Sequence, residues 1–261
     1  MSDLLKKIGI LKAAVQNPAE EPLDFRELAE AYCDAIAAHT YIVGRRGKIL
    51  GYAFPDGFDC GMDEVIKRSE CFPESYNQEL LRITETQVNI EKATDKCIFH
   101  FLKQCPLGSR KVTIVPVFGE GERLATLIFL KGDVGLGAEE VVLAEFAALV
   151  LGNKILGMKS KRAEKEAEKS AAYQIALKTL TPRELRAVKC IFRAIDGPEG
   201  LLVITRVAEE TGLGRSLIVN ALRKLEGAGV IAVRSHGMKG TRITILDPNF
   251  LDELEKEAYK T

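Results

Sequence analysis

Between Ala138 and Leu180 the chain has no proline and only two glycines, and its middle, "KSKRAEKEAEKS", carries Lys and Glu at helical spacings. No other feature limits the fold as tightly. At 1.5 Å per residue such a helix runs for about 60 Å, longer than either flanking domain is wide. The remaining residues must then collect into two bodies, one before the helix and one after it. Thr181, Pro182 and Glu184 make a capping box with proline at the first helical position, so a new helix starts there. The expected organisation is a first domain over residues 1–137, a linker helix over 138–180 and a second domain over 181–261. With 261 residues, 46% of them hydrophobic and 28% charged, the chain can bury a core in each.

The second domain carries the sharper motif. In "GLGRSLIVNALRKLEGAGV", a helix from Arg215 to Glu226 places Ile218, Ala221, Leu222 and Leu225 on one face, the spacing of a core stripe. Ser216, Val219, Asn220 and Arg223 are left on the other. Hydroxyl, amide and guanidinium groups with almost no carboxylate suit nucleic acid better than plain solvation. Ahead of it, "LLVITRVAEETGLG" reads as a short helix with Val207 and Ala208, then a turn at Thr211 and Gly212. Ala208 is small enough for a close crossing and Gly212 can take a positive φ, so the pair predicts a helix-turn-helix. Behind it, "VIAVRSHGMKGTRITIL" predicts a hairpin around His236 to Gly240, a wing carrying Arg234, Lys239 and Arg242 toward phosphates. Charge agrees with this reading. Residues 181–246 hold 11 Lys and Arg against 6 Asp and Glu, while the whole chain is balanced at 37 against 37. The acidic end, "DPNFLDELEKEAYKT", is expected to face away from the nucleic acid.

In the first domain, helical patterns at about residues 3 to 16 and 24 to 38 lead into "TYIVGRRGKILGYAF", two strands around a turn at Arg45 to Lys48. An irregular stretch is expected from there to about Pro106. "RKVTIVPVFGEGERLATLIFLK" then alternates on both sides of a Gly-Glu-Gly-Glu turn, which predicts the late strands of an antiparallel sheet. This order of elements resembles a GAF or PAS sensor domain, a fold that encloses small ligands.

Several classes are disfavoured. "GEGERLAT" lacks the Lys-Ser/Thr ending of a phosphate loop and opens a strand, and the three histidines are dispersed, so a nucleotide-hydrolysing enzyme is the weaker alternative, behind a thiol- or metal-responsive regulator on the same scaffold. No stretch approaches the roughly 18 uninterrupted apolar residues of a membrane span, and "MSDLLKKIGILKAAV" is an amphipathic helix without a cleavage pattern, which predicts a cytoplasmic protein. Six cysteines follow no framework rhythm, so reduced thiols are expected, with Cys33 and Cys190 in cores. Cys97, His100 and Cys105 could supply three zinc ligands or a thiol switch, but ordinary burial explains them as well.

Taken together, "RRGKILGY", "GEGERLATLI", "GPEGLLV", "RSLIVNALRKLEGAGVI" and "SHGMKGT" resemble the CodY family over essentially the whole chain, most specifically from Gly200 to Thr241. The resemblance implies an α+β protein with an N-terminal GAF sensor of antiparallel sheet and flanking helices, a long linker helix and a C-terminal winged helix-turn-helix. It implies a homodimeric transcriptional repressor and not an enzyme, with AT-rich operators as partner and GTP and isoleucine, leucine or valine as effectors. By position, Ala208, Arg215 and Ser216 fall in the family's DNA-contacting motif. The family's GTP site maps to the basic hairpin of Arg45, Arg46 and Lys48 with Phe25 nearby, a set able to meet a triphosphate through charge-assisted hydrogen bonds. Its amino-acid pocket maps to Met62, Phe72, Pro73, Tyr76 and Phe99, whose aromatic walls suit a branched side chain. Gly61 stands where the family has an arginine for the ligand's carboxylate, and His100 stands where it has a proline. Lys67 or Arg68 is the substitute near it in sequence, and GTP is the better-supported effector.

Overall fold

The computed structural model describes residues 3–13, 16, 23–55, 71–91, 110–195, 197–237 and 240–256. They form two compact units, Met1–Ser160 and Lys161–Thr261. The division falls inside one unbroken helix, α4, Ala138–Lys178.

In the first unit, α1 (Asp3–Ala13) and α2 (Phe25–Ile36) precede β1 (His39–Gly44) and β2 (Ile49–Ala53). Then come α3 (Glu74–Arg82), β3 (Gln87–Glu91), β4 (Lys111–Gly119) and β5 (Glu122–Lys131). The strands make one sheet in the order β2-β1-β5-β4-β3, antiparallel throughout. Alternation along each strand gives the sheet two apolar faces. Ile42, Val115, Val117, Leu127 and Phe129 point to a core shared with Leu11 of α1, with Leu28, Tyr32 and Ile36 of α2, and with Leu143, Ala147 and Leu151 of α4. The Tyr32 hydroxyl donates to the Ala147 carbonyl at 3.3 Å, tying α2 to α4. Tyr41, Val43, Val112, Ile114, Ile128 and Leu130 point the other way, toward Phe72 and Leu80. Between β4 and β5, Glu120 and Gly121 both have positive φ, 52° and 80°, the turn whose twist matches a two-residue hairpin.

Two elements lie where an irregular stretch is expected, α3 and β3. α3 has a short apolar stripe, Tyr76 and Leu80 with Ile83 just past its end, packed on the Phe72 face, but both elements are completed by contacts distant in sequence. Arg123 on β5 closes the end of α3, its guanidinium donating to the carbonyls of Ile83 (2.5 Å) and Leu80 (3.3 Å). Asn89 on β3 accepts from the Leu136 N–H (2.7 Å) and donates to its carbonyl (2.9 Å). α4 is apolar enough by length and composition to cross a membrane, although Glu145 and Lys154 interrupt it and no uninterrupted apolar run in it is long enough to do so. Its inner stripe is the one packed on the sheet, while Val142 and Leu149 remain 57% and 67% exposed.

In the second unit, the Thr181 hydroxyl accepts from the Glu184 N–H and the Glu184 carboxylate accepts from the Thr181 N–H, so α5 (Pro182–Ala194) opens with the expected capping box. It is followed by β6 (Glu199–Leu202), α6 (Ile204–Thr211), α7 (Arg215–Gly227), β7 (Ile231–Ser235), β8 (Thr241–Ile245) and α8 (Asn249–Lys256). The hairpin is part of a three-stranded sheet, β6-β8-β7, because "EGLL" adds a strand that its short length conceals in the sequence. Val188, Ile191, Val207, Ile218, Leu222, Leu225, Ile243 and Phe250 share one core with Tyr173 and Leu177 of α4. Cys33 is buried, whereas Cys190 is only half-buried beside that core.

Candidate nucleic-acid interface and ligand face

The helix-turn-helix is built around one glycine. Gly212 has φ of 68°, ending α6 in the left-handed region at no steric cost, and Leu213 packs on the core before α7 begins. Ala208 is half-buried: it packs on the core at the helix crossing and keeps part of its surface exposed. On α7, Ile218, Ala221, Leu222 and Leu225 are buried, and Arg215, Ser216, Asn220 and Arg223 are all exposed. The one carboxylate on the helix, Glu226, accepts from the Val233 N–H at 3.0 Å, near its far end. Gly214 caps the helix without a side chain, leaving its positive dipole end uncovered by a local anion.

Arg234 and Arg242 stand directly opposite each other on β7 and β8, both exposed. Like charges in that register repel unless an anion joins them. Arg242 also reaches Glu199 at 3.4 Å, an exposed pair of small value. Lys239 lies outside the described residues. The acidic end of the chain is not merely solvated: Asp247 accepts from Lys169 at 2.9 Å, and Glu253 accepts from Ser170 (3.1 Å) and Gln174 (3.2 Å) on α4. Hydrogen bonds from Lys169 and Tyr173 hold the Asp247 carboxyl down at about 2.

Beneath the helix-turn-helix, Lys224 donates to Glu184 at 2.7 Å and to the Thr179 carbonyl at 3.0 Å. Lys224 and then the Thr181 N–H hold the Glu184 carboxyl below its ordinary range. The capping box is legible in the sequence, and its coupling to α7 is not.

In the first unit the basic hairpin is a rigid tip. Gly44 and Lys48 close it with a 2.8 Å hydrogen bond, and Gly47 takes φ of 78°. The Asn77 amide donates to the Arg45 carbonyl at 3.1 Å, and the Phe72 N–H donates to the Gly47 carbonyl at 2.8 Å. Arg45, Arg46 and Lys48 are exposed on it. Arg45 and Lys159 both pair with Glu122, at 3.7 and 3.4 Å, so Lys159 joins this group without a sequence motif to announce it. Phe25, the first residue of α2, lies against β2, where its carbonyl is so close to Gly51 that an added Cβ would be 2.0 Å away.

On the opposite sheet face, Phe72 and Tyr76 are in ring contact at 5.4 Å, and Tyr41 meets Phe72 (6.0 Å), Phe54 (5.7 Å) and Tyr52 (6.4 Å). Pro73 opens α3 beside them. Met62, Phe99, Lys67, Arg68, and the Cys97, His100 and Cys105 set lie outside the described residues. Among the described residues no cluster of His, Cys, Asp and Glu is arranged for a metal.

Residues 3–179 match the model of the CodY GAF-like domain, and residues 198–259 that of the CodY helix-turn-helix domain. The chain is 45% identical to the global transcriptional regulator CodY of Clostridium botulinum strain Hall over 98% of its own length and 99% of that protein's. The Clostridium tetani regulator of the same name is 42% identical at the same coverage. A solved structure, the cofactor-binding GAF domain of the nutrient sensor CodY from Clostridium difficile, is 25% identical over 59% of this chain and 99% of that one, with a TM-score of 0.41. A sensor-type sheet joined by a continuous helix to a winged helix-turn-helix, and family models that match both parts, lead to one conclusion: the chain belongs to the CodY family of global transcriptional regulators, and it is not an enzyme.

Proposed function

We propose that the chain is a cytoplasmic, homodimeric repressor that binds AT-rich operators through residues 181–261 and senses GTP and branched-chain amino acids through residues 1–137, with 138–180 as the linker. The exposed face of α7 carries this reading. Arg215, Ser216, Asn220 and Arg223 offer donors to base edges and phosphates, and nothing anionic stands among them. The facing Arg234 and Arg242 supply the wing's contribution. One winged domain covers only a modest length of duplex, which favours two related by symmetry. Val142 and Leu149, exposed apolar residues two helical turns apart on α4, support a self-complementary contact.

For the effectors, the backbone of the tip at Arg45, Arg46 and Lys48 is held by Asn77, which fixes the place from which three exposed cations reach out. The Arg45 pair with Glu122 is exposed and weak, and a triphosphate competes with it readily. The aromatic face at Tyr41, Phe72 and Tyr76 offers the apolar walls a branched side chain needs. Fluorescence anisotropy on AT-rich and GC-rich duplexes, with and without GTP and each of isoleucine, leucine and valine, tests the whole reading. AT-rich duplex is expected to bind more tightly and to respond to ligand. Equal, weak binding to both duplexes that no ligand changes would end it.

A further inference from the structure

The aromatic face contains a charge that no motif announces. Arg110 immediately precedes β4 and shares the parity of Val112 and Ile114, so the strand directs it to the same side of the sheet as Tyr41, Phe72 and Ile128. It is 4% exposed. Among the described residues no other Lys or Arg is buried. His39, the other buried basic side chain on that face, is driven toward its neutral form by desolvation. The positive charge of Arg110 is felt at the pocket itself: it acts on the Tyr76 phenol in opposition to burial, which still raises that group to about 12. Tyr76 in turn touches Phe72. Guanidinium and aromatic walls therefore border one region.

We infer that Arg110 binds the carboxylate of a small amphiphilic acid whose apolar tail lies on the aromatic face at Tyr41, Phe72 and Tyr76. The inference rests on reading that face as the amino-acid pocket. A carboxylate leaves water only where fixed donors replace it, and a guanidinium has five donors in a planar fork, enough to meet both carboxylate oxygens while other protein contacts persist. Tyr52, Phe54 and Tyr76 are only partly buried, so their rings have surface left to cover a branched or aromatic side chain. The ligand class is an apolar α-amino acid or its 2-oxo acid. A lone hydrocarbon would gain nothing from the guanidinium, whereas a carboxylate adds charge-assisted hydrogen bonds to its apolar contacts.

Calorimetry on the full-length chain tests this with isoleucine and with 2-methylbutylamine, the same molecule without its carboxylate. The wild-type chain is expected to bind isoleucine at least about tenfold more tightly than the amine. Arg110→Lys, which keeps the charge but not the fork, should weaken isoleucine about tenfold while leaving the amine unchanged. Arg110→Gln should bring isoleucine down to the level of the amine. If the glutamine variant fails to fold by circular dichroism, the lysine variant decides. Undiminished isoleucine binding in the folded variants, or an equal loss for acid and amine, removes Arg110 from the site and leaves the pocket reading standing. A wild-type chain that binds neither compound overturns both.

Discussion

Replacing Arg234 by Ala distinguishes a phosphate-facing cation from a structural one, because the wing gives the two cases opposite signs. Arg234 lies opposite Arg242 across the β7–β8 ladder, and among the described residues it has no ion pair, whereas Arg242 has Glu199. Like charges directly opposite on a sheet are destabilising by up to about 1 kcal/mol, so Arg234→Ala should leave the melting temperature of the second domain unchanged or slightly raised. Its binding should fall. Each phosphate neutralised on duplex DNA contributes about −0.9 to the slope of log affinity against log salt. If Arg223, Arg234 and Arg242 each meet one phosphate, a homodimer makes about six such contacts and loses about 10³-fold in affinity on a fourfold rise in salt. The variant, with about four, should lose only about 10²-fold. Anisotropy titrations over a salt series, with a thermal melt of the same preparation, give both readings. An unchanged slope, or a loss of affinity that merely tracks a loss of thermal stability, would refute the assignment.

Arg215→Ala should cost specific binding about 1–3 kcal/mol and relax preference at one base pair, measured by competition among duplexes that differ at single positions; uniform loss across all of them would assign Arg215 to phosphate instead. Glu184→Ala removes a capping partner and the Lys224 contact together and should destabilise the second domain by about 2 kcal/mol by calorimetry. Because the folded Glu184 carboxyl titrates below its ordinary value, its contribution is complete above the ordinary glutamate range and lost as pH falls through the lowered value, so Glu184→Gln should flatten the acid limb of that transition. An acid limb identical to wild type would show that the charge contributes nothing. Gly51→Ala forces a methyl against the Phe25 carbonyl and should lower the first domain's stability by about 1–3 kcal/mol or more, while Gly132→Ala, with open space around it, should not; equal melts for the two would mean that α2 shifts freely.

What the sequence discloses is what local physics enforces. The α7 stripe, the Thr181 capping box and the Glu120–Gly121 turn each satisfy their requirement within a few residues, so spacing alone reveals them. The segment "ESYNQELLR" forms α3 with only Leu80 fully buried among its apolar residues, and its end is closed by a guanidinium some forty residues away on β5. In the same way β3 depends on Asn89 reaching Leu136. Such elements are completed by contacts that no local window contains.

The same distinction governs the ligand face. A motif assigns a carboxylate clamp to one position beside Met62, and Gly61 there makes the site read as incomplete. The physical requirement is weaker: a fixed guanidinium must reach the bound acid, and any strand bordering that face can supply it. In an antiparallel sheet ordered β2-β1-β5-β4-β3, every second residue of five strands faces one side. A cation can therefore move from one segment to another without disturbing the fold, provided parity is kept, and Arg110 keeps it with Val112 and Ile114. The case for ranking GTP above branched-chain amino acids rests on an empty position in a motif. Counting the buried charge by the face it occupies and not by its place in the chain supplies a candidate for that empty position, and calorimetry with isoleucine and GTP on the Arg110 variants decides the ranking.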